Sequence, residues 1–370
     1  MSKRIAVIGS TGKGGYGHGL DTAFVGVEGA VITAVADDNP AGLAAAGKLL
    51  KVDTLYADYR QLLETERPDI VCLGTRWLTD RVAMIEAIAA AGCHLYCEKP
   101  LVADLVALDA ISTACQKHRV KLAMAHQWRA MPPVQLAIAQ LKAGKWGRPL
   151  RLRARAKDDA RGGGEELIVH GTHWFDLMIA IAGRPEWVFG QVTVQGRDAT
   201  RADVRQGTEP VGPIAGDAIS AMFGFPPGVR GGFESTAGVY RGKQSPFGVL
   251  YGLQVECEQA LLHFCQPGDV YIYPAPTVQP DDPKLTWEKL WVEEWHFTPE
   301  HLPRPRGDWL HYGNQVLARD LLQAIDTNRE PLSGLPTVGF VTEMIQGVYA
   351  SHLSGKRLSL PLVERRHPLG

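Results

Sequence analysis

The chain has 370 residues, and at about 150 residues per domain this length predicts two domains. Apolar residues make up 45% of the sequence, charged residues 21% and aromatic residues 8%, a balance that is typical of a globular protein and excludes a disordered one. The 39 Lys and Arg residues almost balance the 40 Asp and Glu residues, so the net charge of −1 argues against nucleic acid and anionic membranes as partners.

Short apolar runs alternate with amphipathic stretches in the first third of the chain. Predicted strands are Arg4–Ile8, Val31–Ala36, Thr54–Tyr56, Ile70–Leu73, His94–Cys97 and Lys121–Ala125. Predicted helices follow the first strand through about Phe24, and then cover Ala41–Leu50, Tyr59–Glu66, 79–91 and 104–118. This alternation predicts right-handed βαβ units and a parallel sheet that binds ligands at its carboxyl ends. We therefore interpret residues 1–125 as an α/β domain built on a parallel sheet.

A glycine-rich segment follows the first strand, with the spacing Gly9-x-x-Gly12-x-x-Gly15. Glycines let the backbone turn sharply and approach a pyrophosphate, and Ser10 and Thr11 lie in the same turn. The spacing differs from the commoner G-x-G-x-x-G by one inserted residue, and a purely structural loop is the alternative.

Asp37 ends the second predicted strand, 22 positions beyond Gly15. Its carboxylate can accept both hydroxyls of an adenine ribose and repel a 2′-phosphate, which favours NAD over NADP. Asp38 adds a second negative charge, and no Arg or Lys follows until Lys48. The alternative is that Asp37 only caps the next helix.

The second half of the chain changes to a period of two. Leu150–Lys157 alternates apolar with basic residues, and further strands are predicted over Trp187–Val194, Ala218–Phe225, Val229–Thr236 and Leu250–Cys257. The basic face of the first of these strands could bind an anion, contact another subunit or face solvent. Helices near 309–327 and 336–354 follow. Residues 126–370 are therefore predicted to form an α+β substrate domain with a large, mostly antiparallel open sheet.

Six cysteines lack the spacing of a disulfide framework or a zinc site, so we expect no metal. No apolar run approaches the roughly 18 residues that span a membrane, and the first residues do not form a signal peptide. We expect a soluble, cytoplasmic protein without a membrane partner.

Several motifs together resemble the Gfo/Idh/MocA family of nicotinamide-dependent sugar and polyol oxidoreductases. They are the glycine-rich turn, Cys97-Glu98-Lys99-Pro100, Gly162-Gly163-Gly164, Gly171-x-His173 and Asp176. The resemblance implies that residues 1–125 form a dinucleotide-binding Rossmann domain, followed by a C-terminal α/β domain, with the active site in the cleft between them. It also implies bound NAD, a carbohydrate-like small-molecule substrate, and a homo-oligomer (dimer or tetramer).

The resemblance assigns roles to particular residues. His173 matches the family's acid/base histidine, and Lys99 matches the lysine that stabilises the reacting oxygen. Glu98 would orient Lys99 or the nicotinamide ribose, and Thr75 and Trp77 would line the nicotinamide side. Candidate substrate contacts are Trp128, Arg129, Lys157, Asp158 and His170. A core histidine is the alternative interpretation of His173.

One departure from the family pattern concerns proton transfer. Family members commonly carry an Asp four residues before the histidine, where this chain has Val169. His170, Glu165 or Glu166 could replace that aspartate.

Three functions follow. The first is an NAD-dependent dehydrogenase or reductase acting on a secondary hydroxyl of a sugar, polyol or glycoside. The second is a glycoside hydrolase or lyase that retains its NAD and works by transient oxidation. The third is a non-catalytic nucleotide-binding sensor.

Overall fold

The computed structural model describes residues 2–239, 251–265, 268–304 and 308–370. The chain folds into two units. The first runs to Ala130 and includes a later stretch that ends at Val338, and the second spans Met131–Arg304 and Gly339–Gly370.

The first unit is built on a parallel sheet. Its strands are β1 (Lys3–Ile8), β2 (Ala30–Ala36), β3 (Leu55–Tyr56), β4 (Ile70–Leu73), β5 (His94–Cys97) and β6 (Leu122–Met124). Its first helices are α1 (Pro40–Leu50), α2 (Tyr59–Glu66), α3 (Arg81–Ala90), α4 (Leu105–His118) and α5 (Gln127–Ala130). The strand order β3-β2-β1-β4-β5-β6 and the parallel pairing confirm the predicted Rossmann sheet.

The second unit is built on a larger sheet. The strands of this unit begin with β7 (Pro149–Arg155), β8 (Trp187–Val194), β9 (Arg197–Asp198), β10 (Arg205–Gln206), β11 (Pro213–Ile214) and β12 (Ala218–Phe225), of which β10 and β11 form a separate two-stranded sheet. They continue with β13 (Val229–Thr236), β14 (Gly252–Cys257), β15 (Leu261–Cys265), β16 (Asp269–Tyr273) and β17 (Glu288–Lys289). The helices are α6 (Pro132–Lys142), α7 (Gly164–Val169), α8 (Gly171–Ala182) and α9 (Glu293–His296), with a 3₁₀ turn at Arg201–Asp203.

Three further elements follow: α10 (Asp308–Asp326), α11 (Leu335–Ser354) and β18 (Leu358–Ser359). The large sheet has the order β17-β16-β15-β14-β7-β13-β12-β8-β18, and only its β7–β13 pair is parallel among the described strands. This confirms the predicted, mostly antiparallel second sheet. Among the described residues, no helix combines the length and apolar content needed to cross a membrane.

The helix predicted directly after β1 is wrong. Residues 11–26 form consecutive turns, many of them closed by hydrogen bonds between residues three apart. The glycines at positions 12, 14, 15, 17 and 19 all have positive φ angles, between 58° and 92°. A right-handed helix needs negative φ, so these glycines replace its first turns by a folded loop.

Helix α10 belongs to the first unit. The sequence analysis had instead placed all of residues 126–370 in the second domain. Leu317, Ala318 and Leu321 are fully buried in the core of this unit, together with Leu20 and Phe24 of the turn segment.

Asn314, also fully buried on α10, adds polar contacts to this packing. Its amide donates to the carbonyl of His18 (2.8 Å), and its oxygen accepts from the hydroxyl of Tyr96 (2.8 Å) and the amide of Gln127 (2.9 Å). The helix is thus hydrogen-bonded to both the glycine-rich segment and β5.

Arg81, the first residue of α3, is 1% exposed and ties together the ends of β4 and β5. Its guanidinium donates to the carbonyl oxygens of Thr75, Glu98 (2.8 Å) and Pro100 (3.4 Å). A single cation therefore satisfies acceptors on the two segments that carry the predicted nicotinamide-side residues.

We predict that Arg81→Met lowers the free energy of unfolding by about 2–5 kcal/mol, because several buried carbonyl groups lose their donor. Urea unfolding measures the loss. Arg319→Met is the matched control: Arg319 is exposed on α10, so this change should stay within about 0.5 kcal/mol. Equal losses in the two variants would refute the role of Arg81.

Candidate active site

The glycine-rich turn after β1 is closed by two backbone hydrogen bonds between Ser10 and Gly15. The N–H of Gly15 donates to the carbonyl of Ser10 (2.9 Å), and the N–H of Ser10 donates back to Gly15 (3.2 Å). A Cβ on Gly14 would come within 2.6 Å of the Cβ of Arg76, so the loop packs directly on the segment after β4. Gly12 has a φ of 91° and open space around it, which leaves its backbone approachable by a ligand.

Asp37 is 2% exposed at the carboxyl end of β2 and is held by this turn. It accepts hydrogen bonds from the Thr11 hydroxyl (2.7 Å), the Thr11 N–H (3.0 Å) and the Asn39 N–H (2.9 Å). The N-cap of α1 is Asn39, whose side chain accepts from Gly42, so the interpretation of Asp37 as a helix cap is wrong. Asp37 and Thr11 instead form one hydrogen-bonded unit.

A cavity of about 490 Å³ opens at this edge of the first unit. Its lining includes the predicted cofactor residues Gly9, Ser10, Asp37, Thr75 and Trp77. The Thr75 hydroxyl is buried and has no hydrogen-bond partner within the described part of the chain. The lining thus offers a carboxylate and a buried hydroxyl without a partner among the described residues, a combination that fits the ribose of a dinucleotide.

Glu98 and Lys99 lie together at the end of β5, 0% and 5% exposed. One carboxylate oxygen of Glu98 accepts the backbone N–H of Lys99 (3.0 Å) and lies 3.0 Å from Nδ1 of His18. The other oxygen accepts the backbone N–H of His18 (2.8 Å). Burial alone would raise the pKa of Glu98, but the hydrogen bonds and charge of His18 outweigh it and lower this pKa. Glu98 is therefore held as an anion beside Lys99.

Trp128 and Arg129 follow β6 on the short helix α5, and both belong to the first unit. Trp128 is 6% exposed and Arg129 is half-buried.

Three consecutive glycines set the approach of α7 and α8 to the large sheet. A Cβ on Gly162 would lie 2.4 Å from the backbone of Ala237, and one on Gly164 would lie 2.3 Å from the carbonyl of Ala215. Gly163 has a φ of 78°, and a Cβ on it would also come too close to the backbone of a neighbouring segment. The chain can pass this close to the sheet only without side chains, and His170 and His173 follow directly on these helices.

Glu166, His170 and His173 form a buried cluster in the second unit. The carboxylate of Glu166 lies 2.6 Å from Nδ1 of His170, and the rings of His170 and His173 are 6.4 Å apart. Burial raises the pKa of Glu166 to about 7, against the opposing charges of Arg161 and Lys157. A carboxyl group that titrates near neutral pH beside a histidine is suited to holding and passing a proton.

The two glutamates of α7 point to different partners. Glu165 accepts hydrogen bonds from the N–H (3.0 Å) and the hydroxyl of Thr208, whereas Glu166 faces His170. Val169 is 3% exposed within the apolar core. Of the three candidates that could replace the missing aspartate, His170 and Glu166 are joined in one pair, and Glu165 lies outside it.

Lys157 and Asp158 follow β7. Asp158 is 1% exposed and accepts from Arg155 (2.7 Å) and from the N–H of Thr236 (2.8 Å), so its carboxylate joins the ends of β7 and β13. Lys157 is half-buried, and this burial lowers its pKa.

The predicted site residues are divided between the two units of the structure. The first unit holds Gly9, Ser10, Thr11, Gly12, Gly15, Asp37, Thr75, Trp77, Glu98, Lys99, Trp128 and Arg129, and the second holds Lys157, Asp158, His170 and His173. Within the described ranges, no three His, Cys, Asp or Glu side chains are grouped to hold a metal ion.

Sequence reasoning missed Arg81, Lys13 and His18. Arg81 shares the helical spacing of the buried residues Met84, Ile85 and Ile88, and this position on an apolar face was a usable signal. His18 had no comparable signal, because its contact with Glu98 joins residues 80 positions apart.

Sequence comparison identifies a family for the first unit. Residues 3–126 match the model of the Gfo/Idh/MocA oxidoreductase family, described as having an NAD-binding Rossmann fold. The chain is 30% identical over 179 residues to D-apiose dehydrogenase from Paraburkholderia graminis, covering 46% of each chain. It is 32% identical over 123 residues to a myo-inositol dehydrogenase from Streptomyces leeuwenhoekii, covering 33% of this chain and 38% of that one. The matches span less than half the length of both relatives.

Solved structures share the fold over the whole chain. Levoglucosan dehydrogenase in complex with NADH and levoglucosan has a TM-score of 0.75 at 18% identity, covering 98% of this chain and all of that one. An oxidoreductase domain protein from Kribbella flavida has a TM-score of 0.76 at 20% identity, with the same coverage. Residues 3–126 therefore match the NAD-binding Rossmann domain of the Gfo/Idh/MocA oxidoreductase family, and the whole chain shares its fold with these solved structures.

Proposed function

We propose that the protein is an NAD-dependent dehydrogenase that oxidises a secondary hydroxyl of a sugar, polyol or glycoside, or reduces the corresponding carbonyl. The observation that carries the proposal is the buried Glu166–His170 pair beside His173, in a chain whose first unit is an NAD-binding domain. The similarity to D-apiose and myo-inositol dehydrogenases supports the substrate class.

Lys99 acts on the reacting oxygen in this proposal. Bound NAD supplies the acceptor for the hydride that leaves the carbinol carbon. The ammonium group of Lys99 donates a hydrogen bond to the oxygen and stabilises the negative charge that develops on it. Glu98 is held as an anion by His18 and accepts the backbone N–H of Lys99, which fixes the position of this peptide. Its negative charge also stabilises the positively charged ammonium group of Lys99.

His173 removes the hydroxyl proton in the oxidation direction. The O–H bond breaks, its electron pair forms the carbonyl bond, and the proton goes to the imidazole of His173. His170 and Glu166 then either stabilise the positive charge of the protonated His173 or accept the proton from it. Glu166 suits this role because its pKa is raised to about 7 and its carboxylate lies 2.6 Å from Nδ1 of His170. In reduction the same groups return the proton to the oxygen. Arg129 and Lys157 are proposed to contact other substrate hydroxyls.

The central experiment incubates the purified chain with a panel of sugars, polyols and aryl glycosides, with and without added NAD. NADH absorbance and products are followed together. Formation of NADH with a carbonyl product in equal amounts supports the proposal. Cleaved glycoside without net NADH would show redox-assisted cleavage instead, and cofactor binding without turnover of any compound would favour a sensor.

We further propose that the protein is a cytoplasmic homo-oligomer. One face of the large sheet carries exposed Phe189 and Met222, 38% and 53% accessible, beside Arg153 and Glu234. Apolar and oppositely charged groups on one surface suit self-association about a two-fold axis. The six cysteines are free thiols, which suits a reducing compartment. Light scattering at increasing protein concentration tests the assembly, and a monomer throughout would reject it.

We predict that Lys99→Met abolishes turnover while NADH binding persists. Methionine keeps much of the side-chain length and removes the charge that stabilises the reacting oxygen. Steady-state kinetics and NADH titration measure both properties. Lys117→Met, at an exposed position of α4, is the control and should keep its activity. A Lys99→Met enzyme with a large share of the original kcat would remove Lys99 from the chemistry.

We predict that His173→Asn lowers kcat by about 10²–10⁴, the usual effect of losing a general base. KM should change less, because the imidazole acts mainly in the transition state. Rates over a range of substrate concentrations separate the two constants. Near-normal turnover of the true substrate would place the base elsewhere.

We predict that Glu166→Gln lowers kcat nearly as far as His173→Asn, whereas Glu165→Gln has little effect. The two glutamates are neighbours on α7, but only Glu166 contacts His170.

The pH profile separates proton transfer from a structural role of Glu166. Oxidation by the parent enzyme should accelerate as pH rises through about 7, because the group must lose its proton before the pair can accept another. In Glu166→Gln this rise should move or disappear. Equal losses in both glutamine variants, with an unchanged profile, would contradict the assignment.

A further inference from the structure

The cavity at the carboxyl end of β2, where Asp37 would meet the adenine ribose of NAD, is charged differently from what the order of residues along the chain indicated. No basic residue follows Asp37 until Lys48, yet the cavity lining contains Lys13 and Arg60. Lys13 reaches the cavity from the glycine-rich turn, and the guanidinium of Arg60 lies 4.6 Å from the ring centre of Tyr59. Two cations therefore share this cavity with Asp37 and other carboxylates.

Lys13 is bound to the second of the two consecutive aspartates. Its ammonium nitrogen lies 2.8 Å from one oxygen of Asp38, and the Ser10 hydroxyl donates to the other oxygen (2.7 Å). The two pKa shifts agree: contact with Asp38 raises the pKa of Lys13, and hydrogen bonds from Lys13 and Ser10 lower the pKa of Asp38. The pair leaves Asp37 separate, because Thr11 and Asn39 hold that carboxylate.

The Lys13–Asp38 pair is exposed, with 58% and 49% of the two side chains accessible. Exposed ion pairs contribute about 0–1 kcal/mol, so breaking the pair costs at most about that much. A 2′-phosphate, with about two negative charges and three acceptor oxygens, could bind Lys13 only by displacing the carboxylate of Asp38, and it would therefore lose the energy of this pair.

We propose that the Lys13–Asp38 pair, together with Asp37, determines the preference for NAD, because Asp38 holds the lysine that would otherwise bind the 2′-phosphate of NADP. Asp37 repels that phosphate directly, whereas Asp38 acts indirectly by keeping Lys13 in an ion pair. The inference rests on the proposed function only through the cofactor, since it concerns the adenosine end and not the substrate.

The experiment measures dissociation constants of NADH and NADPH for the full-length protein by calorimetry. The variants are Asp38→Asn, Lys13→Met and the double variant, with Asp38→Ser as a second replacement should the asparagine protein fold poorly. Adenosine 2′,5′-bisphosphate and 5′-AMP serve as probes without nicotinamide, so the adenosine site is also tested apart from turnover.

We expect Asp38→Asn to lower the ratio of the NADPH to the NADH dissociation constant about two- to fivefold, because Lys13 becomes available to the phosphate. Lys13→Met should raise this ratio, and the double variant should return close to the parent value. The bisphosphate probe should follow the same order relative to 5′-AMP.

Two results would overturn the inference. An unchanged ratio in Asp38→Asn would show that Lys13 does not reach the phosphate. A gain that persists in the double variant would show that the lost charge of Asp38 acts alone. Both results presuppose that NADH binds the parent protein, and failure of that binding would instead reject the proposed dehydrogenase itself.

Discussion

The first unit depends on one buried cation at the carboxyl ends of its central strands. Arg81 donates to carbonyl groups after β4 and after β5, and so fixes the spacing of the two segments that carry Thr75 and Lys99. A neutral side chain could fill the space but could not satisfy these acceptors. The positions of the cofactor-side residues therefore depend on the guanidinium of Arg81. This side chain has no contact with a ligand in the proposed mechanism.

The second unit buries a titratable carboxyl group among other polar and charged side chains. Burial raises the pKa of Glu166 to about 7, and Nδ1 of His170 lies 2.6 Å from one of its carboxylate oxygens. The glycines at 162–164 allow the chain to pass close enough to the sheet to enclose it. In the proposed mechanism this carboxyl group on α7 takes the role that the family resemblance gives to an aspartate at position 169, where Val169 packs in the apolar core instead.

Periodicity predicted much of both sheets, because buried strands and amphipathic helices follow from residue pattern alone. Strands β4, β5, β8, β12 and β13 have the predicted bounds, whereas the helix after β1 failed because positive φ at several glycines is a conformational property that hydrophobic pattern does not report. The candidate residues were predictable where motifs carried them. Lys13 and His18 were not, since their partners are set by how a loop folds back across the sheet edge.

The return of α10 to the first unit has a consequence for how the chain is made. The core around Leu20 and Phe24 includes Leu317 and Leu321, so nearly three hundred residues separate its two parts. Domains usually fold during synthesis from the N-terminus onward. Here the unit that begins first is completed late: it emerges early from the ribosome with part of its apolar core uncovered, and α10 closes it only after most of the second unit has been synthesised. A fragment ending at Ala130 would keep that exposed surface permanently, so the boundary for an independent Rossmann domain is not the one that chain order suggests.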